Sequence, residues 1–133
     1  MQKNYKRKNK ILSLFIIIII LIVGTTLYLY FFNIYGVTYS ANPKNLTADN
    51  HSKIKIEAIP VNAFGKRVPF RYVEASYEFV KGEELVTIIA EDKKTGLLTL
   101  EVDNKPGEVI LKALSPKSLL SSLIEINIAP IKK

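Results

Sequence analysis

Hydrophobic residues are distributed along this chain in two different ways. Positions 11–32, ILSLFIIIIILIVGTTLYLYFF, form an unbroken apolar block in which 16 of 22 residues are Leu, Ile, Val or Phe and none is charged. From residue 33 onward, apolar residues come in short runs that alternate with polar ones and are broken by Pro, Gly and Asn. The block predicts one helix. At 1.5 Å per residue it reaches about 33 Å, enough to cross a hydrocarbon core about 30 Å thick. Ile is a mediocre helix former in water, but lipid offers backbone amides no partner outside the helix, so the bilayer enforces what propensity does not. Each Leu, Ile, Val or Phe favours insertion by about 0.3–0.6 kcal/mol, and the sum outweighs Ser13, Gly24, Thr25 and Thr26.

The second pattern predicts strands. Over 53–58, Ile54, Ile56 and Ala58 fall on one face and Lys53, Lys55 and Glu57 on the other; over 72–79, Val73, Ala75, Tyr77 and Phe79 alternate with Tyr72, Glu74, Ser76 and Glu78. Alternation with period two marks a strand with one buried face. Further runs at 35–41, 85–90, 97–102, 108–114 and 123–128 bring the number of strands to seven. Turn-forming residues separate them at Asp49-Asn50, 62–65, Lys81-Gly82, Thr95-Gly96 and Lys105-Pro106-Gly107. Seven short strands in roughly 95 residues predict an all-β head, a seven-stranded immunoglobulin-like β-sandwich preceded by one transmembrane α-helix. The expected divisions are a basic cytoplasmic leader (1–10), the transmembrane helix (11–32), a short linker (33–36) and an extracytoplasmic sandwich (37–133).

Charge sets the expected orientation. Of 19 basic residues, five (Lys3, Lys6, Arg7, Lys8 and Lys10) precede the block with no acid among them; the other 14 stand against 12 acids, so the formal +7 divides into +5 and +2. A pI of 9.5 would ordinarily raise nucleic-acid binding. Here the excess flanks the apolar block, where cations mark the cytoplasmic side, so nucleic acid is not an expected partner. Lys6, Arg7, Lys8 and Lys10 are the expected inner-interface residues. Tyr28, Tyr30 and Tyr35, beside Phe31 and Phe32, are the outer ones. The N-terminus is then inside and the head outside, in a periplasmic or extracellular space. A cleavable signal peptide shares the basic start and apolar middle, but its apolar region is usually about 7–15 residues and ends at a small-x-small site. The nearest candidate, Tyr39-Ser40-Ala41, has a bulky Tyr where a small residue is needed; cleavage there would leave a chain starting near Asn42.

Candidate chemistry is sparse. The chain has no Cys, no Trp and a single His, which excludes disulfide frameworks, Cys-based zinc sites, Fe–S clusters, thiol chemistry and lipidation on Cys. His51 sits in a polar turn and reads as solvated. Glu83-Glu84 and Glu91-Asp92 are neighbours at strand ends, pointing to opposite faces, and Glu74 and Glu78 on one strand face would stand about 13 Å apart, too far for a glycosidase pair. Lys66, Arg67 and Arg71 form the densest basic cluster beyond the leader and are the candidate contact for phosphate or anionic lipid. No aromatic row suited to base stacking accompanies them, and Gly65-Lys66 lacks the spacing of a phosphate loop. Asn45-Leu46-Thr47 and Asn50-His51-Ser52 match the glycosylation sequon. No catalytic residue, cofactor or metal is expected. The expected partners are the lipid bilayer and another envelope or membrane protein.

A family resemblance rests on specific stretches. Leu46-Thr47-Ala48-Asp49, then Ser52 leading into the strand that ends at Ala58, then Asn62-Ala63-Phe64-Gly65-Lys66-Arg67-Val68-Pro69 resemble the opening strands of bacterial immunoglobulin-like modules. These include the invasin and intimin repeats and the sandwich modules appended to some glycosidases. Gly96 before 97–102 and Pro106-Gly107 before 108–114 also fall where that pattern places them, and the resemblance covers about residues 37–129. The family commonly has Gly after the Ala-Asp pair; this chain has Asn50, the residue next best suited to positive φ. The resemblance implies adhesion, spacing or docking and brings no catalytic residues. The expected function is that of a single-pass, membrane-anchored, non-catalytic module for protein interaction or structural support in the bacterial envelope. The alternative is an exported adhesin-like or carbohydrate-associated binding module released after cleavage of the leader.

Overall fold

The computed structural model describes residues 2–131, with side chains from Lys8 onward. Helix α1 (Gln2–Phe31) runs for 30 residues. Its segment Lys8–Phe31, 24 residues, is long and apolar enough to cross a membrane, and none of it is buried by the rest of the chain. Two of the block's hydroxyls find acceptors within the helix: Thr26 Oγ1 donates to the Ile22 carbonyl at 2.9 Å, and Ser13 Oγ to the Lys10 carbonyl at 3.2 Å. Such back-bonds let polar side chains enter an apolar medium without an orphaned donor. The helix ends at Phe31, and Phe32 N–H closes the last turn onto the Tyr28 carbonyl at 3.0 Å.

Eight strands follow: β1 (Gly36–Asn42), β2 (Asn45–Thr47), β3 (Lys53–Val61), β4 (Ser76–Lys81), β5 (Val86–Asp92), β6 (Leu97–Val102), β7 (Gly107–Leu114) and β8 (Ser122–Ala129). They form two four-stranded sheets, ordered β1-β3-β6-β5 and β2-β8-β7-β4. All pairings are antiparallel except β2 with β8. The inward faces of both sheets meet in one buried cluster, to which β3 gives Ile54 and Ile56, β6 gives Leu98 and Leu100, β7 gives Val109 and Leu111, and β8 gives Ile126. The period-two pattern explains this. In β8, Ile124, Ile126 and Ile128 turn inward while Leu123, Glu125 and Asn127 face out.

Several expectations are corrected. There are eight strands rather than seven, because the first run breaks at Asn42-Pro43, a cis peptide, and the chain resumes as β2 in the other sheet. Proline has no N–H to give a ladder, so the pairing with β3 stops there. At three residues, β2 is too short to show periodicity. The stretch 72–75 belongs to no ladder, although Val73 and Ala75 are buried and Ala75 N–H reaches the Lys93 carbonyl at 3.0 Å. Glu74 therefore shares no strand with Glu78. Residues 83–85 form a 3-10 turn, so β5 starts at Val86, and the supposed linker already yields to strand at Gly36.

Register fixes which loops cluster. Gly36 pairs with Val61, Glu57 with Leu97, Ser76 with Leu114 and Ala113 with Ser122. The loops 62–75, 93–96 and 115–121 therefore share the end of the head where α1 joins. Hydrogen bonds tie them across the sheets: Tyr77 Oη donates to the Gly96 carbonyl and Ser115 Oγ to the Glu74 carbonyl, both at 2.6 Å.

Gly96 has φ +66°, and a Cβ there would lie 2.6 Å from both Ala58 Cβ and the Val73 carbonyl oxygen. Gly96→Ala should lose about 3 kcal/mol, combining left-handed backbone strain with overpacking. Gly65 has φ +71° but open space around it, so Gly65→Ala should lose only about 1 kcal/mol. Urea unfolding of the full chain in detergent, followed by near-UV circular dichroism, checks the difference; equal losses would contradict the packing account.

Candidate interaction surface

The junction between helix and head is built around Asn62, which is only 1% exposed. Its Oδ1 accepts the N–H groups of Phe64 at 2.9 Å and Lys66 at 3.0 Å, closing a tight turn in which Gly65 takes positive φ. Its Nδ2 donates to the Tyr30 carbonyl at 3.0 Å. That carbonyl belongs to the last turn of α1, where the helix leaves acceptors without internal partners. Close by, Tyr35 N–H donates to the Val61 carbonyl at 2.8 Å, and the Tyr30 and Phe64 rings lie 6.1 Å apart. Phe31 and Phe32 of the helix end face Pro69, Phe70 and Arg71 of the loop across a shallow cleft.

The structure gathers the predicted basic cluster onto this loop but divides its roles. Lys66, Arg67 and Arg71 are all exposed. Arg67 is taken up by Glu57, its guanidinium 2.8 Å from the carboxylate, whereas Lys66 and Arg71 make no ion pair among the described residues. Tyr28 and Tyr30 lie in the last turns of α1, Tyr28 stacked on Phe32 at 6.0 Å, while Tyr35 lies beyond the helix and is 75% exposed. Lys8 and Lys10 are exposed near the other end of α1; the side chains of Lys6 and Arg7 lie outside the described residues. Periodicity along the chain does not single out Phe70. It adopts φ 55°, unusual for a bulky residue, and its side chain is fully exposed. The only hint was its place between Pro69 and Arg71, in a run too short to read as strand.

The other candidates stand apart from one another. His51 is exposed at the opposite end of the head, where Asp49 Oδ1 accepts the N–H groups of His51 at 3.0 Å and Ser52 at 2.7 Å. These bonds, with one from the Ser52 hydroxyl, hold the Asp49 carboxyl down at about 2. Asn50 has φ 61°, as expected of its substitution for Gly, and both sequon asparagines, Asn45 and Asn50, are exposed. Glu83, Glu84, Glu91 and Asp92 are exposed, and no three His, Asp or Glu side chains gather to hold a metal among the described residues.

Two further surfaces lie along the strands. A groove of about 720 Å³ between β1 and β8 is bordered by Tyr39, Lys44 and Asn127; the Tyr39 hydroxyl is buried without a hydrogen-bond partner among the described residues. Strand β5 forms a sheet edge on which Ile88 and Ile89 are about half exposed at a bulge.

No family model matches the sequence, and no curated protein does. Solved structures do share the fold. The head is similar to the D00-D0 domain of intimin, with TM-score 0.51 and 22% identity over 71% of this chain and 48% of that one. It is also similar to a glycosyl hydrolase family 2 member from Bacteroides cellulosilyticus (TM-score 0.56, 17% identity, 73% of this chain and 14% of that one). A beta-glucuronidase of the same hydrolase family gives TM-score 0.57 at 14% identity, over 74% of this chain and 12% of that one. The chain thus spans about half of the intimin fragment and a small part of the glycosidases. At these identities the likeness is one of fold. The head has the fold of an invasin/intimin-type immunoglobulin-like module.

Burial raises the Tyr77 phenol well above its ordinary value near 10, with Tyr39, Glu57 and Glu91 adding to the shift, and burial raises Tyr39 as well. A raised phenol favours the folded state fully below the unfolded value; that stability is lost as pH rises above about 10, where the unfolded chain ionises first. The folded head should therefore lose stability steeply above about pH 10. Tyr77→Phe should flatten that loss while lowering stability at neutral pH by about 1 kcal/mol. Thermal midpoints of both proteins across pH 8–11 test this, and parallel alkaline losses would contradict it.

Proposed function

We propose that this chain is a single-pass membrane-anchored protein, N-terminus inside, whose head is a non-catalytic immunoglobulin-like module held close to the bilayer for interaction or structural support in the cell envelope. The observation that carries this reading is where the cleavage candidate falls. Tyr39, Ser40 and Ala41 are in the middle of β1, paired with Ala58, Glu57 and Ile56, and Ala41 is buried in the core. A chain starting at Asn42 would lose almost all of β1 and leave β3 as an unpaired edge over a partly opened core. Retention of α1 keeps the sheet intact and keeps Tyr30 available to Asn62. The cationic leader supports the orientation.

The partner would be a protein of the same membrane or envelope layer, since only 32–35 separate the helix from β1. Strand β5, with Ile88 and Ile89 on a free edge, is the surface suited to pairing with a strand of that partner. The adhesin-like alternative, a module exported and released, requires processing.

The intact mass of the protein extracted from membranes decides between the two. A chain beginning at Met1 or Gln2 is expected, recovered entirely with the membrane fraction. A soluble product beginning near Asn42 would sink the anchored reading.

A further inference from the structure

The two ends of the head carry opposite charge. The loops that meet beside α1 (62–75, 93–96 and 115–121) contain six basic residues (three, two and one) against one acid, Glu74. At the far end, the segments 43–44, 48–52, 82–85 and 103–106 contain two basic residues, Lys44 and Lys105, against four acids: Asp49, Glu83, Glu84 and Asp103. The cations are therefore concentrated on the end that faces the membrane in the anchored reading, and Lys66, Arg71 and Lys117 are all exposed there.

Exposed apolar side chains gather on the same end. Phe70 and Leu119 are fully exposed and Leu120 is 79% exposed. Phe70 is held at positive φ, a conformation disfavoured for an aromatic residue, and its ring gains no packing within the chain in return. The Asn62 bond to Tyr30 ties the start of its loop to the last turn of the helix, and Pro69, Phe70 and Arg71 border the cleft whose other wall is Phe31 and Phe32. Phe70 consequently sits beside the aromatic end of the span, where side chains of this kind partition into the headgroup layer.

Resting on the anchored reading, we propose that this end of the head is itself a lipid-contact face. Phe70, Leu119 and Leu120 enter the headgroup layer of the outer leaflet, and Lys66, Arg71 and Lys117 lie against anionic headgroups. The apolar side chains supply buried area and the cations supply attraction to phosphate, the two contributions that bind peripheral surfaces to membranes. The bond between Asn62 and the last turn of the helix makes the contact intramolecular, so the head docks without a separate encounter.

The chain has no Trp, so one introduced Trp reports its own surroundings. Phe70→Trp, Leu119→Trp, Leu21→Trp in the middle of the span and Lys105→Trp at the far end would each be made in the full chain. The probe is vesicles of phosphatidylglycerol and phosphatidylcholine with brominated acyl chains. Phe70→Trp and Leu119→Trp should shift to the blue and lose at least about half their emission to bromine, Leu21→Trp should be quenched at least as strongly, and Lys105→Trp should be unaffected. Removing phosphatidylglycerol should reduce the quenching at 70 and 119 by about twofold or more and leave that at 21 unchanged. Quenching at 21 with none at either 70 or 119 would overturn the lipid-contact face while the anchor stands. No quenching at 21 would overturn the anchored reading, and this proposal with it. Equal quenching at 105 would overturn the end-on contact, and indifference to phosphatidylglycerol would overturn the role of anionic headgroups.

Discussion

One buried carboxamide, that of Asn62, joins three parts of the chain that would otherwise be independent: an apolar helix that the rest of the chain leaves uncovered, a turn that requires two donors satisfied, and a head that requires neither. Its oxygen organises the turn and its nitrogen takes up a carbonyl left over at the helix end. Both ends of the amide are used, so the group is buried at little electrostatic cost. This side chain and the neighbouring bond of Tyr35 to Val61 tie the end of the helix and the chain that follows it to the head.

Within the head, stability rests on the core shared by the two sheets, with no disulfide to help it. A core of Ile, Leu, Val and Ala can meet that demand only with close packing, which is why Gly96 leaves no room for a methyl group and why the Tyr77 hydroxyl donates to the carbonyl of that same residue. Among the described residues the ion pairs lie on the surface, Lys53 with Glu101, Arg67 with Glu57 and Lys81 with Glu108. Exposed pairs of this kind contribute little, about 0–1 kcal/mol each.

Legibility in the sequence followed the strength of the periodic signal. The apolar block and the strands with clean alternation, such as 53–58 and 97–102, could be read because an unbroken apolar run of that length predicts a helix and burial on one face imposes period two. The break after Asn42 could not, because β2 has only three residues and its parallel pairing to β8 is set by distant chain. Alternation misled at 72–75, where Val73 and Ala75 lie on a loop and are buried against Ala58, Tyr39 and Tyr77 without joining a ladder. The basic cluster at Lys66, Arg67 and Arg71 was visible as composition. Its division, with Arg67 spent on Glu57, and its juxtaposition with Phe70 and Leu119 depend on tertiary structure alone.

The chain enters the head at one end and β8 leaves it at the other, with β2 and β8 side by side and running in the same direction. A pull applied between the start of β2 and the end of β8 would therefore draw these neighbours lengthwise past each other. Bonds loaded in that way share the load rather than peel one by one, so the short pairing of β2 with β8 resists a pull along the strands more than its three residues would suggest.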